Sequence, residues 1–258
     1  MVKCIYLLGD YMEFLPIILT IIAGLSTLIG LITIFIKTKN INRFIVISLA
    51  FSAGVILSLS VFDLLPSSIR SIYKENNSIF LTTIYLNIFF IIGYFLIKII
   101  KVFEKSPTSN LYRVGVISFI ILFIHNALEG IATYSLATYN VNMGISLTIG
   151  IIMHNIPEGI LIAVPIYYST KNRLKAFKLV LISALSEPIG AVISYLLFKN
   201  MYTETFIGYV LIIVSGLMIS LIINEIIPEI RKNKGFLLYK IVGFIVGVLF
   251  ILANLYLF

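Results

Sequence analysis

Eight uninterrupted apolar runs dominate this chain, at about residues 14–36, 44–66, 79–100, 113–136, 143–167, 176–198, 205–228 and 236–257. At about 1.5 Å of helical rise per residue, each is long enough to cross a hydrocarbon core about 30 Å thick. Lipid offers a peptide group no hydrogen-bond partner, so such runs are stable there only as helices that satisfy their own backbone. The expected fold is an all-α polytopic membrane protein with eight transmembrane helices. Charged residues make up 12% of the 258, about half the share in a soluble domain. No stretch is left for a separate soluble domain, so 1–258 reads as a single transmembrane unit. The first thirteen residues carry Lys3, Asp10 and Glu13 and lack the pattern of a signal peptide. They read as a short tail before the first span. Cys4, the one cysteine, has no partner for an intrachain disulfide.

The net charge of +8 is a topology signal. Fifteen of the 19 Lys and Arg residues lie in or beside the links between spans one and two, three and four, five and six, and seven and eight. Lys3, Arg70, Lys74 and Lys199 are the four on the other side. Basic residues concentrate on the cytoplasmic side of membrane proteins. Both termini are therefore expected outside the cytoplasm, in a multi-pass protein of the cell (inner or plasma) membrane whose partner is the lipid bilayer and not nucleic acid.

Spans two and seven share a pattern. The second reads GVILSLSVFDLLP from Gly54 to Pro66, and the seventh GLMISLIINEIIP from Gly216 to Pro228; glycine, serine, acid and proline recur 162 residues apart. Leu25-Ser26 and Ile29-Gly30 of span one recur 160 residues later as Leu185-Ser186 and Ile189-Gly190 of span six. Spans three and eight match only at Gly93 and Gly243. Spans two and seven run in opposite directions, so the repeat is inverted in the membrane. It predicts a 3+2+3 arrangement, with spans 1–3 repeated by spans 6–8, and such inverted repeats build alternating-access carriers.

Between the repeats stand two copies of H-N-x-x-E-G: His125, Asn126 and Glu129 in span four, and His154, Asn155 and Glu158 in span five. Acidic or basic side chains in hydrocarbon cost roughly 2.5–3.5 kcal/mol each on insertion scales. Two copies at one spacing imply a compensating ligand, and a divalent cation is the simplest. His125 is twelve residues past Arg113, His154 twelve past Asn142, and Glu187 of span six twelve past Lys175. Each therefore lies about 18 Å into the membrane, at one level near its centre. Residues i and i+4 share a helix face, so each His–Glu pair can grip an ion from one side, with the asparagines adding neutral oxygens. Imidazole and carboxylate suit zinc, iron(II) and manganese, and the lack of thiolates argues against copper(I). Pro157 and Pro188 each free a backbone carbonyl one turn earlier.

At HNALEG, HNIPEG and Ser186-Glu187-Pro188 the sequence closely resembles the ZIP (Zrt-, Irt-like) family of divalent metal transporters, in its compact bacterial and archaeal branch. The resemblance covers nearly the whole chain. It implies a binuclear metal centre in mid-membrane with, by motif match, His125, Asn126, Glu129, His154, Asn155, Glu158 and Glu187 as ligands. It further implies uptake into the cytoplasm of zinc, iron, manganese or cadmium, often by a homodimer, with no organic cofactor. The family's fourth-span motif usually has proline before the glutamate, where this chain has Leu128. Some relatives carry Asp where this chain has Asn155, which makes the site here less negative.

Asp63 near the outer end of span two, and Asn224 and Glu225 near the inner end of span seven, are candidate transport-pathway residues, weighed against ordinary solvation of a helix end. Glu229 reads as a solvated helix end. The competing function is an intramembrane metal-dependent hydrolase, in which His and Glu hold a catalytic zinc and its water. H-N-x-x-E lacks the two-histidine H-E-x-x-H arrangement with its general base, and an inverted repeat has no evident purpose there.

Overall fold

The computed structural model describes residues 2–103, 109–197 and 203–257. Lys105 and Lys199 of the charge pattern lie outside them. Among the described residues every regular element is helical. In chain order they are α1 (Val2–Ser26), α2 (Ile41–Leu59), α3 (Leu65–Asn76), α4 (Ile79–Phe103), α5 (Asn110–Tyr139), α6 (Val141–Thr170), α7 (Arg173–Leu197), α8 (Glu204–Leu221), α9 (Ile227–Lys232) and α10 (Leu237–Leu257). A 3₁₀ segment, Thr27–Phe35, extends α1. Single π turns, Ser60–Leu64 and Ile222–Ile226, join α2 to α3 and α8 to α9.

Among the described residues eight helical spans are long and apolar enough to cross a membrane, in the order the sequence predicts. Spans two, four, five and seven run further than expected. Span two continues to Asn76 and span seven to Lys232, past the expected ends at Pro66 and Pro228. Both prolines fall in the first turn of a new helical segment, where a missing N–H costs nothing. The π turn just before each proline absorbs the change in register.

α5 and α6 form a hairpin of two 30-residue helices joined through Asn140. The Asn140 N–H closes α5 on the Leu136 carbonyl at 2.8 Å, and its side chain caps α6 at the Met143 N–H at 3.1 Å. One residue thus stops one helix and starts the next. α7 and α1 pack against this hairpin, while α4 and α10 have the most exposed spans. Their outward Ile88, Ile91, Ile241 and Ile245 form the apolar surface that lipid requires.

Glycines press the helices together backbone to backbone. In α2 and α10, Gly54 lies against the Phe244 carbonyl and Gly247 against the Phe51 carbonyl. In α4 and α8, Gly93 lies against the Ile213 carbonyl and Gly216 against the Phe90 carbonyl. A Cβ at any of the four would collide with main chain, so only glycine permits these Cα–H···O contacts. The α10 glycine that packs as Gly93 does is Gly247. Gly243, which the sequence pairs with Gly93, meets Ile47 more loosely.

Candidate metal centre

The α5–α6 hairpin sets the site. His125 stands fifteen residues before Asn140 and His154 fourteen after it, so both lie about 21–23 Å from the turn. The two H-N-x-x-E-G segments therefore meet side by side, and α7 supplies Glu187 from a third direction. All seven predicted ligands are buried, none more than 7% exposed.

The structure draws four of them into one cluster. His154 Nε2 is 2.9 Å from Glu129 Oε1. His125 Nε2 is 3.1 Å from Glu129 Oε1 and 3.1 Å from Glu158 Oε1, but aligns with neither as a hydrogen bond. Donor atoms of His125, Glu129 and His154 lie within 4.8 Å of one another, a spacing one ion can span.

The other three stand around this cluster. Asn155 Nδ2 donates to the Ala23 carbonyl at 2.8 Å and to Glu187 Oε2 at 3.0 Å, so Glu187 reaches the cluster's edge through Asn155. The Asn126 amide is best satisfied with its nitrogen toward Glu158 Oε2 at 3.0 Å and the Leu122 carbonyl at 3.1 Å. In that pose it orients Glu158 as a donor.

Six buried atoms of this set have no hydrogen-bond partner: Glu129 Oε2, Asn155 Oδ1, Glu158 Oε1, Glu187 Oε1 and both ring nitrogens of His125. Four are acceptor oxygens, and a buried acceptor without a partner costs on the order of 1–3 kcal/mol. A cation relieves such acceptors, and this donor set of carboxylate, imidazole and amide suits zinc and its neighbours.

Glycine and proline hold the frame. Gly130 lies against the Glu187 carbonyl and Gly190 against the Ala127 carbonyl, closing α5 on α7 beside the ligands. Gly159 lies against the Thr27 carbonyl of the 3₁₀ segment. The carbonyl one turn before Pro188, Ala184, faces Gly24 of α1 instead of the cluster. Pro157 is fixed from α2, whose Ser52 Oγ donates to its carbonyl at 2.9 Å.

Two cavities flank the centre at opposite ends of the bundle. One of about 190 Å³ lies at the α5–α6 turn and is lined by Asp63, Ser146, Gly150, His154 and Asn254 among others. It runs from Asp63 to a cluster histidine. Asp63 is half-buried in the first π turn and accepts from Ser67 Oγ at 3.4 Å. The other, about 210 Å³, is lined by Asn110, Arg113, Asn224, Glu225, Glu229 and Lys232. Glu225 is buried in the second π turn, and Asn224 Nδ2 donates to the Ser220 carbonyl at 2.9 Å. Asp63, Asn224 and Glu225 are thus outside the cluster, each lining a cavity. Glu229 departs from expectation. It is buried and paired with Lys232 at 2.9 Å, because α9 turns it into the bundle. The sequence reading also passed over Ser146 and Asn254, whose only signal is an isolated polar residue in an apolar helix.

The sequence model of the family described as "ZIP Zinc transporter" matches residues 103–254. A protein of Chlorobaculum parvum named zinc transporter ZupT is 34% identical, over 93% of this chain and 96% of its own length. Proteins of the same name from Clostridium perfringens and Streptococcus mutans are 32% and 33% identical, over 97% and 95% of this chain and 99% and 98% of their own.

Proposed function

From the premise that the chain belongs to the ZIP zinc transporter family, we propose that it carries zinc inward across the cell membrane, through the centre held by α5, α6 and α7. The protein is a divalent metal transporter and not an enzyme. The observation that carries the reading is the buried cluster of His125, Glu129 and His154, whose donor atoms lie within 4.8 Å of one another, with Glu158 against His125.

In this reading a hydrated dication enters the cavity beside Asp63 and passes Ser146 and Asn254 to His154. It exchanges water for His125, Glu129, His154 and Glu158, while Asn126, Asn155 and Glu187 fix or extend the ligand shell. It leaves through the opposite cavity past Asn224 and Glu225. Iron(II), manganese and cadmium suit the same donors, and no organic cofactor is called for. Release requires that the ligands not close around the ion as in a structural zinc site.

The 3+2+3 inverted arrangement belongs to the same proposal. Residues 51 and 213, and 54 and 216, make equivalent glycine–carbonyl contacts, and the π turns begin at 60 and 222; each pair is 162 apart. The fifteen-cation face is then cytoplasmic, both termini lie outside, and the whole chain is one transport domain, working as a homodimer.

The test is purified protein in liposomes loaded with a zinc-sensitive dye. Wild type is expected to admit zinc, and Glu129→Ala and Glu158→Ala to lose most of that flux. Tight zinc binding with no flux at any gradient would defeat the reading.

A further inference from the structure

The basic face carries cations that no carboxylate balances. The links 36–43 and 168–178 hold seven Lys and Arg residues and no acid. Among the described residues no carboxylate lies within ion-pairing distance of Arg43, Lys171, Arg173 or Lys175. Each sits instead over an aromatic ring at a helix end. Arg173 lies 4.9 Å above Phe35, Lys171 4.9 Å above Tyr168, Lys175 4.4 Å above Tyr112, and Arg43 4.2 Å above Tyr239. Arg173 also lies 5.9 Å above Tyr167, which is 5.1 Å from Tyr168, and Tyr168 is 5.9 Å from Phe44, the neighbour of Arg43.

A ring beneath a guanidinium or ammonium orders the charge but takes up none of its N–H donors. The donors of Arg43, Lys171 and Arg173, all exposed, remain available to an anion. Phe35 and Leu174, 59% and 60% exposed, stand beside them. Ordered donors next to bare apolar side chains match a phosphate with acyl chains attached, not a soluble anion. Basic pockets between transmembrane helices at the membrane surface take such headgroups.

We infer that the aromatic-backed cations Arg43, Lys171 and Arg173 form a binding site for the phosphate headgroup of an anionic phospholipid. The site ties the ends of α2, α6 and α7 and of the 3₁₀ segment together through one lipid, and it is independent of the transport reading.

The full-length protein is melted in phosphatidylcholine–detergent micelles, with and without phosphatidylglycerol at equal total lipid. Phosphatidylglycerol is expected to raise the melting temperature of wild type. The triple variant Arg43→Gln, Lys171→Gln, Arg173→Gln is expected to lose more than half of that rise, while Arg70→Gln, at the opposite end of the bundle, keeps it. A rise that survives in the triple variant overturns the inference, as does a rise that inorganic phosphate alone reproduces. Melting in phosphatidylcholine alone checks the fold of the triple variant. If that value falls, the pair Lys171→Gln, Arg173→Gln and direct binding of fluorescent phosphatidylglycerol decide by the same criterion.

Discussion

His154 Nε2 lies 2.9 Å from Glu129 Oε1, a contact that crosses from α6 to α5. The two motifs are therefore joined to each other and not only within themselves. Glu129 also stands 3.1 Å from His125, so it is the one group that touches both histidines. Glu129→Gln keeps the shape and removes the charge. Zinc uptake into liposomes is expected to fall at least about 10–100-fold, the loss typical when even an outer-shell partner of a metal is removed. Full uptake by this variant takes Glu129 out of the site.

Asp63 is separated from the cluster by the cavity it lines with His154. In the proposed pathway its charge concentrates cations at the mouth and binds none at the centre. Asp63→Asn is expected to raise the half-saturating zinc concentration on the order of tenfold, while calorimetric zinc binding in detergent stays near wild type. Equal loss of both places Asp63 within the central site.

Metal binding here competes with protons. A free histidine titrates near 6.5, and its protonated ring has no lone pair for a metal. Buried carboxylates must likewise give up protons to a cation. Affinity is thus lost as pH falls through the histidine range and recovered as it rises. Uptake is expected to weaken from about pH 7.5 to about 5.5, and calorimetry in buffers of different ionisation heat is expected to show proton release on zinc binding. A flat pH profile with no proton release contradicts the proposed ligands.

Gly130 and Gly190 admit no Cβ against the facing main chain. Gly130→Ala or Gly190→Ala is expected to cost about 1–3 kcal/mol, seen as a lower melting temperature. At Gly150 an added Cβ meets nothing within 4 Å, and Gly150→Ala, mid-helix, is expected to be neutral or mildly stabilising. Equal effects at the three positions contradict the close packing described.

The spans and the meeting of His125, Glu129, His154 and Glu158 were legible because their signals are local. An apolar run announces its own helix, and H-N-x-x-E puts His125 and Glu129 on one face without knowledge of any neighbour. What the sequence hid depends on partners. The continuation of spans two and seven past Pro66 and Pro228 was hidden because nothing in the chain announces a π turn before them. Glu229 read as solvated because only the set of α9 turns it inward onto Lys232. The motif offers Asn155 for its oxygen alone, and nothing local shows that its nitrogen bridges Ala23 and Glu187. Ser146 and Asn254 share a cavity although 108 positions separate them, and no spacing rule links such residues.

Where Gly130 meets Glu187 and Gly190 meets Ala127, main chain touches main chain. Nothing at such a seam can change rotamer, so α5 and α7 travel as one body. The same holds for α2 with α10, for α4 with α8, and for α1 and its 3₁₀ extension with α7 at Gly24 and with α6 at Gly159. Movement is left to boundaries where side chains meet, such as the crossing of Ser52 onto Pro157. In the proposed carrier, facing one side of the bilayer and then the other slides that boundary and leaves the glycine-seamed groups whole.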